Sequence, residues 1–101
     1  MKLQELINSN PAVIIYFYNT NCSSCNVLKP KVKQMVNSLF PEISYHEIMA
    51  SEHPALTSEA GVFASPTIIA YFDGKETLRE SRFISVDQFE EKIKRYYDML
   101  F

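Results

Sequence analysis

Residues 12–30 read AVIIYFYNTNCSSCNVLKP, and across them a strand pattern gives way to a helix pattern at two cysteines. The first seven residues are all apolar and mostly β-branched or aromatic, which is typical of a central strand covered on both faces. Leu28 and the apolar residues that follow it recur at helical spacing. Cys22 and Cys25, the only cysteines in the chain, therefore lie at the turn from a buried strand into a helix.

The composition indicates a globular protein. The chain has 101 residues, 47% of them hydrophobic and 22% charged, and we expect one domain over residues 1–101. The net charge is −2, and the lysines and arginines are scattered rather than gathered into a basic patch. Because nucleic-acid binders normally show such a patch, we expect no nucleic-acid partner.

The expected location of the protein bears on what the cysteines do. The first ten residues, MKLQELINSN, lack the apolar segment of a signal peptide, and no apolar run approaches the ~18 residues of a membrane span. We therefore expect a cytoplasmic protein with no membrane partner, and we also expect a monomer. Cytosolic thiol systems keep structural disulfides reduced, so Cys22 and Cys25 indicate redox chemistry or metal binding instead.

Apolar spacing and turn residues predict four helices and four strands. Helices are expected over residues 2–7, 23–40, 54–60 and after a cap at Ser85, and strands over residues 12–18, 43–49, 67–72 and 76–83. Helices separate the first three strands, which favours parallel pairing, and Asp73-Gly74 predicts an antiparallel hairpin. The predicted fold class is a three-layer α/β/α sandwich with a mixed central sheet.

Two of these helices carry amphipathic patterns. The second contains Pro30, where we expect a kink. Its buried stripe is predicted at Leu28, Val32, Met35, Val36 and Leu39. The stripe of the last helix is predicted at Phe89, Ile93, Tyr96 and Leu100. On its solvated side, two pairs have the i,i+4 spacing of ion pairs, Glu90–Lys94 and Glu91–Arg95.

The position of the cysteines suits disulfide exchange. Open α/β sheets carry their reactive groups at the carboxyl ends of the strands. Unpaired N–H groups and the positive end of the helix dipole stabilise a thiolate there, and the thiolate is the nucleophile in disulfide exchange. With two residues between them, Cys25 can reach back to attack a mixed disulfide formed at Cys22.

Two other interpretations of the cysteine pair remain open. A Cys-x-x-Cys pair can supply half of a structural zinc site, which needs two further ligands. His46 and His53 are the histidines available, and the strand prediction gives no reason for them to converge on Cys22. The pair can also be two small residues that merely pack in the interior.

Beyond the cysteines, the sequence resembles the thioredoxin family over nearly its whole length. The residues that carry the resemblance are Cys22-Ser23-Ser24-Cys25 after the strand AVIIYFY, Pro30, Ser65-Pro66-Thr67 before the strand TIIAYF, and Asp73-Gly74. The resemblance implies the thioredoxin fold. It also implies a cis peptide bond before Pro66, placed against the two sulfurs, and a loop in which Ser65 pairs with the backbone of a bound peptide.

The resemblance further implies a thiol–disulfide oxidoreductase that reduces protein disulfides and needs no bound cofactor or metal. In this role Cys22 attacks as a thiolate and Cys25 resolves the mixed disulfide. A reductase of the thioredoxin-reductase type recharges the pair. The substrate groove is then expected to comprise Asn21, Ser23, Ser24, Ser65, Pro66 and Arg82.

The rim of this groove departs from the family. Asn21, Ser23 and Ser24 stand where the family usually has a Trp and a Gly-Pro dipeptide, so the rim is more polar and the redox potential is not implied. Arg82 stands where the family often has a glycine. If Arg82 leans toward the sulfurs, its charge favours the thiolate; if it points to water, it is an edge-strand charge that discourages aggregation.

The groups that would accept a proton from the second cysteine also differ from those of the family. The family's buried Asp and the Lys of its next strand are matched by Tyr16 and Glu47. A phenol with an unperturbed pKa near ~10 is a poor base at pH 7. Glu47, if partly buried, is therefore the candidate to take the proton from Cys25. A solvated strand carboxylate is the alternative interpretation of Glu47.

Two other functions stay open from the sequence. The fold can serve as a binding module in which the cysteine pair is a redox sensor or has lost its activity. A glutaredoxin-like enzyme that uses glutathione is a weaker hypothesis, because no glutathione-binding signature is found around Pro66.

Overall fold

The structure is a computed structural model that describes residues 2–101. Its helices are α1 (Leu3–Ile7), α2 (Ser23–Leu39), α3 (Pro54–Glu59) and α4 (Val86–Leu100). Its strands are β1 (Ala12–Tyr18), β2 (Ser44–Met49), β3 (Thr67–Phe72) and β4 (Lys75–Ser81), and a 3-10 turn at Ala50–Glu52 joins β2 to α3. The predicted order of elements and the predicted α/β class are confirmed.

The sheet has the strand order β2-β1-β3-β4. As predicted, β1 and β2 are parallel, but β3 runs antiparallel to β1, so the prediction of parallel pairing for β3 was wrong. The reason is the length of the connection: α3 has six residues and advances only about 9 Å, too little to carry the chain back along the sheet. The chain therefore enters β3 at the end of the sheet where β2 leaves it.

Strand β1 forms the centre of two apolar cores. Ile14 and Tyr16 face the helices α2 and α4, whereas Ile15 and Phe17 face α1 and α3, and all four side chains are fully buried. Alternate residues of a strand point to opposite faces of the sheet. The uninterrupted apolar run is thus explained by cover on both sides, and the three-layer arrangement is confirmed.

Helix α2 buries most of its predicted stripe. Val32, Met35 and Val36 are buried, and Leu28 packs half-buried against the same core. Leu39, however, is 50% exposed, so its place in the predicted stripe was wrong. Leu39 is the last residue of the helix, and the chain turns there so that Phe40 enters the core instead.

Helix α4 begins as predicted. The Ser85 hydroxyl accepts a hydrogen bond from the backbone N–H of Gln88 at 3.3 Å, and Phe89 and Ile93 are fully buried. Tyr96 and Leu100 lie half-buried at the edge of the same core.

The predicted ion pairs of α4 are wrong. Lys94 pairs with Asp98 at 2.7 Å rather than with Glu90, and Lys92 reaches Glu80 on β4 at 3.3 Å. Lys94 has an acid four residues away in both directions, so spacing alone does not select its partner. Glu91 and Arg95 form no ion pair within residues 2–101.

The hairpin between β3 and β4 brings the chain back toward the cysteines. Asp73 and Gly74 both have positive φ, 54° and 78°, as a two-residue turn between twisted strands requires. Strand β4 ends at Ser81, two residues before the predicted end, because Arg82 adopts a positive φ of 65° that breaks the extended backbone. Phe83 is consequently directed away from the sheet and is 95% exposed.

Across residues 2–101, the structure contains no helix that is both long and apolar enough to span a membrane.

Candidate active site

Cys22 and Cys25 are joined by a disulfide at the start of α2. Cys22 is the N-cap residue of that helix and Cys25 lies in its first turn, with their Cα atoms 5.2 Å apart. The turn is reached directly from the end of β1, as the sequence predicted.

The surroundings of Cys22 favour negative charge on its sulfur once the disulfide is reduced. The backbone N–H of Cys25 donates to Cys22 Sγ at 3.2 Å, and the Ser24 hydroxyl lies 3.3 Å from the same sulfur. Cys22 also sits at the positive end of a 17-residue helix. Hydrogen bonds to the charged form and the helix dipole both act in the direction that produces a thiolate.

The two sulfurs differ in accessibility. Cys22 is partly exposed, whereas Cys25 is fully buried. An incoming disulfide can therefore approach Cys22 but not Cys25. This asymmetry suits attack by the first thiol and internal attack by the second.

Tyr16 lies beneath the pair, on the central strand. Its hydroxyl donates to the backbone oxygen of Cys25 at 3.0 Å, and its side chain is fully buried. Burial, followed by the negative charge of Glu47, raises the pKa of Tyr16 to about 12. Tyr16 is therefore a neutral hydrogen-bond donor at neutral pH, and it cannot take the proton of Cys25.

Glu47 lies beside Tyr16 in the register of β1 and β2. It is half-buried and accepts a hydrogen bond from the Tyr45 hydroxyl at 3.1 Å. Burial, followed by the charge of Glu47, raises the pKa of Tyr45 well above its usual value. Glu47 also lines an open depression of about 310 Å³ with residues of α2, so water can reach its carboxylate.

The loop before β3 approaches the cysteine turn. Its Ser65–Pro66 peptide bond is cis, as the family resemblance implied. Pro66 is buried and its carbonyl accepts a hydrogen bond from the N–H of Arg82 at 2.8 Å. The hydroxyl of Ser65 accepts from Asn19 Nδ2 at 3.2 Å.

Asn19 connects three segments of the site and was not predicted from the sequence. Besides Ser65, its side-chain oxygen accepts from the N–H of Ser51 at 3.1 Å, and its backbone oxygen accepts from the N–H of Cys22 at 3.3 Å. The side-chain partners lie 32 and 46 residues away along the chain. An asparagine after a strand is an ordinary turn residue, so no local signal pointed to this role.

A surface depression of about 430 Å³ lies between α2 and the turn that joins β4 to α4, next to the cysteine turn. We call it the Arg82 cleft. Its lining residues are Ser23, Ser24, Val27, Leu28, Lys31, Arg82, Phe83 and Ile84. Of the predicted groove residues, the structure brings Ser23, Ser24 and Arg82 together here.

The remaining predicted groove residues lie elsewhere around the disulfide. Ser65 lines a second depression, of about 400 Å³, together with Asn19 and Phe63, which is 89% exposed. Asn21 is exposed in the loop between β1 and α2. Glu47 belongs to neither depression, because it lies on the β2 side of α2.

The histidines of the zinc interpretation are placed apart from Cys22. His46 lies on β2 with its Nε2 atom 2.9 Å from the Ser44 hydroxyl, and burial lowers its pKa. His53 precedes α3 as its N-cap residue. The part of the chain that the structure describes contains no cluster of three or more His, Cys, Asp or Glu side chains suited to a metal ion.

Comparison with known proteins gives a consistent result. The family model described as Thioredoxin matches residues 2–95. The thioredoxin-like protein YdfQ of Bacillus subtilis is 29% identical over 97 residues, which are 96% of this chain and 86% of that protein.

Solved structures are similar as well. Thioredoxin 1 from Thermosipho africanus superposes with a TM-score of 0.79 at 29% identity, covering 86% of this chain and 96% of that one. Oxidised mitochondrial thioredoxin 3 from Saccharomyces cerevisiae superposes with a TM-score of 0.79 at 26% identity, covering 91% and 85% of the two chains.

Proposed function

This chain belongs to the thioredoxin family of thiol–disulfide oxidoreductases, and we propose that it reduces protein disulfides through a reversible Cys22–Cys25 couple. The observation that carries the proposal is the asymmetry of the pair. A partly exposed sulfur sits at a helix N-terminus, and a fully buried sulfur lies three residues further on. That arrangement provides one nucleophile for the substrate and one for the intermediate.

The exchange proceeds in two balanced steps. The Cys22 thiolate attacks one sulfur of the substrate disulfide, which breaks the substrate S–S bond, forms a mixed disulfide and releases one substrate thiolate. The Cys25 thiolate then attacks Cys22 Sγ and releases the second substrate thiolate, which leaves the Cys22–Cys25 disulfide. Two electrons pass from the protein to the substrate, and the two released thiolates take up protons according to their pKa.

We propose that Glu47 accepts the proton that Cys25 loses before the second step. Tyr16 is excluded from this role because its pKa of about 12 keeps it protonated. The Glu47 carboxylate bonds to Tyr45 rather than to Cys25, and the depression that Glu47 lines does not include the buried Cys25. The transfer therefore requires a water that bridges the two groups. A solvated carboxylate without this role is the competing interpretation.

Substrate contacts are proposed on both sides of the disulfide. Asn21, Ser23, Ser24 and Arg82 form one side, and Ser65 and Pro66 form the other. The loop at Ser65 runs into β3 and is half-buried, so its backbone is available to pair with an extended peptide.

The proposed setting is the cytoplasm, where a reductase of the thioredoxin-reductase type returns two electrons to the disulfide. The protein would act there as a monomer in thiol electron transport and redox homeostasis, with no bound cofactor.

An equilibrium redox titration tests the proposed direction. A potential near about −270 mV is expected for a reducing member, whereas a potential above roughly −200 mV would mean that reduction is not its natural direction. In a turnover assay with a protein disulfide, Cys22→Ser is expected to abolish reduction. Cys25→Ser is expected to accumulate mixed disulfides, and normal activity of the Cys22 variant would refute the mechanism.

A binding module or redox sensor is the second candidate. Tyr16 favours this candidate. It is a buried hydrogen-bond donor at the position where the family has a proton acceptor for the second cysteine, so one group that assists exchange is missing. If both cysteines are replaced and the protein still retains the same partners in a pull-down, binding rather than exchange is the function.

A further inference from the structure

We infer that the Arg82 cleft selects among disulfide substrates, favouring segments that carry a bulky apolar side chain followed by a carboxylate. This inference rests on the proposed disulfide-exchange function and names the substrate class for that same site. It concerns Arg82, which stands where the family often has a glycine, and the side chains that line the cleft with it.

The cleft is adjacent to the reactive sulfur. Ser24 lines it, and the Ser24 hydroxyl lies 3.3 Å from Cys22 Sγ. A substrate whose sulfur reaches Cys22 therefore places the residues next to its own cysteine against the cleft. Whatever lines the cleft contacts the substrate during the first exchange step.

The walls of the cleft are apolar and uncovered. Phe83, from the turn after β4, is 95% exposed, and Val27, from α2, is 62% exposed; both line the cleft. The apolar surface of an exposed aromatic ring is in contact with water. It is removed from water only when another apolar group packs against the ring. These two side chains favour a bulky apolar residue in the bound segment.

The charges of the cleft have one sign. Lys31 from α2 and Arg82 from the turn after β4 both line it, and no carboxylate does. Neither cation forms an ion pair with any residue from 2 to 101, whereas Arg79, earlier on β4, is paired with Glu76 at 2.7 Å. Lys31 also lines a neighbouring depression together with Glu90, outside the cleft. Because the chain as a whole carries a net charge of −2, this pair of positive charges is local to the cleft. It complements a carboxylate on the substrate.

The backbone at Arg82 is also unusual. Its φ of 65° is a conformation that glycine adopts freely and that a side chain makes unfavourable. The N–H of Arg82 donates to the Pro66 carbonyl at 2.8 Å, which holds this turn against the loop on the other side of the site. An arginine side chain is thus held at a strained backbone position that lines the same cleft as Ser23 and Ser24.

The test uses two disulfide-linked peptides that differ at one residue. Each carries Phe next to its cysteine, followed by Glu in one peptide and by Lys in the other. The second-order rate constant for oxidation of the pre-reduced protein is measured with each peptide, so no recharging partner is needed. We expect the Glu peptide to react roughly tenfold faster at low salt, and the ratio to fall toward about twofold near ~0.5 M salt, because exposed charges are screened.

Three variants and one matched control locate the effect. Arg82→Glu is expected to reverse the preference, and Arg82→Gly to reduce it while keeping the turn. Arg95→Glu is the matched control, since it makes the same change in net charge at an exposed position within α4, outside the cleft lining. Phe83→Ala is expected to slow both peptides equally.

The outcomes separate the inference from the proposed function. Equal rates for the two peptides, or an equal effect of Arg82→Glu and Arg95→Glu, would overturn the inference. Hydroxyethyl disulfide, which is small and uncharged, reports the exchange reaction itself. Failure of the pre-reduced wild-type protein to reduce it would contradict the proposed function instead.

Discussion

An asparagine lies at each end of the central strand β1, and the two asparagines bind to different parts of the molecule. Asn10 precedes the strand, and its side-chain amide donates to the carbonyls of Ala12 at 2.8 Å and Glu42 at 2.9 Å. Asn19 follows the strand and joins Ser65, Ser51 and the N–H of Cys22. The asparagine at one end therefore bonds only to backbone carbonyls of the scaffold. The asparagine at the other end connects the segments that form the reactive site.

The difference teaches that hydrogen bonding by itself does not mark a functional residue. Both asparagines bridge segments more than thirty residues away. What separates them is the chemistry of their neighbours, because Asn19 contacts the cysteine turn and the loop at Ser65. Substitutions at the two ends should consequently separate stability from substrate reactivity.

The largest effect is expected from the middle of the strand that both ends share. Ile14→Ala removes a fully buried side chain between the two asparagines and should lower the free energy of unfolding by about 2–5 kcal/mol. Denaturant unfolding measures this loss. The variant should react with hydroxyethyl disulfide at the wild-type rate per folded molecule, and a rate loss beyond the unfolded fraction would show that the core also shapes the site.

The next effect is expected at the reactive end. Asn19→Ala removes two hydrogen bonds and should lower the free energy of unfolding by about 1–2 kcal/mol. It should also slow reduction of a peptide disulfide about fivefold, because the loop at Ser65 is no longer held for pairing with the substrate backbone. Hydroxyethyl disulfide does not use that loop and should react normally; an equal slowing of both substrates would argue against a positioning role for Asn19.

A smaller effect is expected at Tyr16, beneath the cysteines. Tyr16→Phe leaves the buried Cys25 carbonyl without its side-chain donor and should lower the free energy of unfolding by about 1 kcal/mol at neutral pH. Because the folded-state pKa is raised from 10.0 to about 12, the stability that Tyr16 contributes is complete below pH 10 and is lost as the pH rises toward 12.

Tyr45 and Tyr71 have raised pKa values as well, so the Tyr16 contribution must be read as a difference between two proteins. Unfolding of the wild type and of Tyr16→Phe is followed from pH 7 to pH 12. The two stability curves should converge in the alkaline range. Parallel curves would mean that Tyr16 ionises equally in the folded and unfolded chains.

The smallest effect is expected at the opposite end of the strand. Asn10→Ala should lower the free energy of unfolding by about 0.5–1 kcal/mol, because its bonds are partly exposed to water. Rates with peptide disulfides and with hydroxyethyl disulfide should both be unchanged. A slowing comparable to that of Asn19→Ala would remove the distinction between the two ends.

Local patterns in the sequence predicted most of the architecture. The all-apolar run of β1, the cap at Ser85 and the Asp73-Gly74 turn depend on near neighbours in the chain, and each is found where it was predicted. The position of Cys22 and Cys25 at a strand-to-helix turn follows from the same local signals. Their identification as a redox pair came from spacing together with the family resemblance.

The errors concern features that apolar spacing does not determine. The direction of β3 depends on how far α3 carries the chain, and the partner of Lys94 depends on which of two equally spaced acids its side chain meets. The exposure of Leu39 depends on where the chain leaves α2. None of these is encoded by the period of a single element.

The sequence by itself thus specifies the elements, their order and the cysteine turn, because propensity, capping and periodicity act over a few residues. Only the folded chain brings Asn19 to Ser65 across 46 residues and places Arg82 and Lys31 around one cleft. It also buries Cys25 while leaving Cys22 accessible. Burial and charge proximity arise from the packing of distant segments, and those two quantities govern the reactivity of the site.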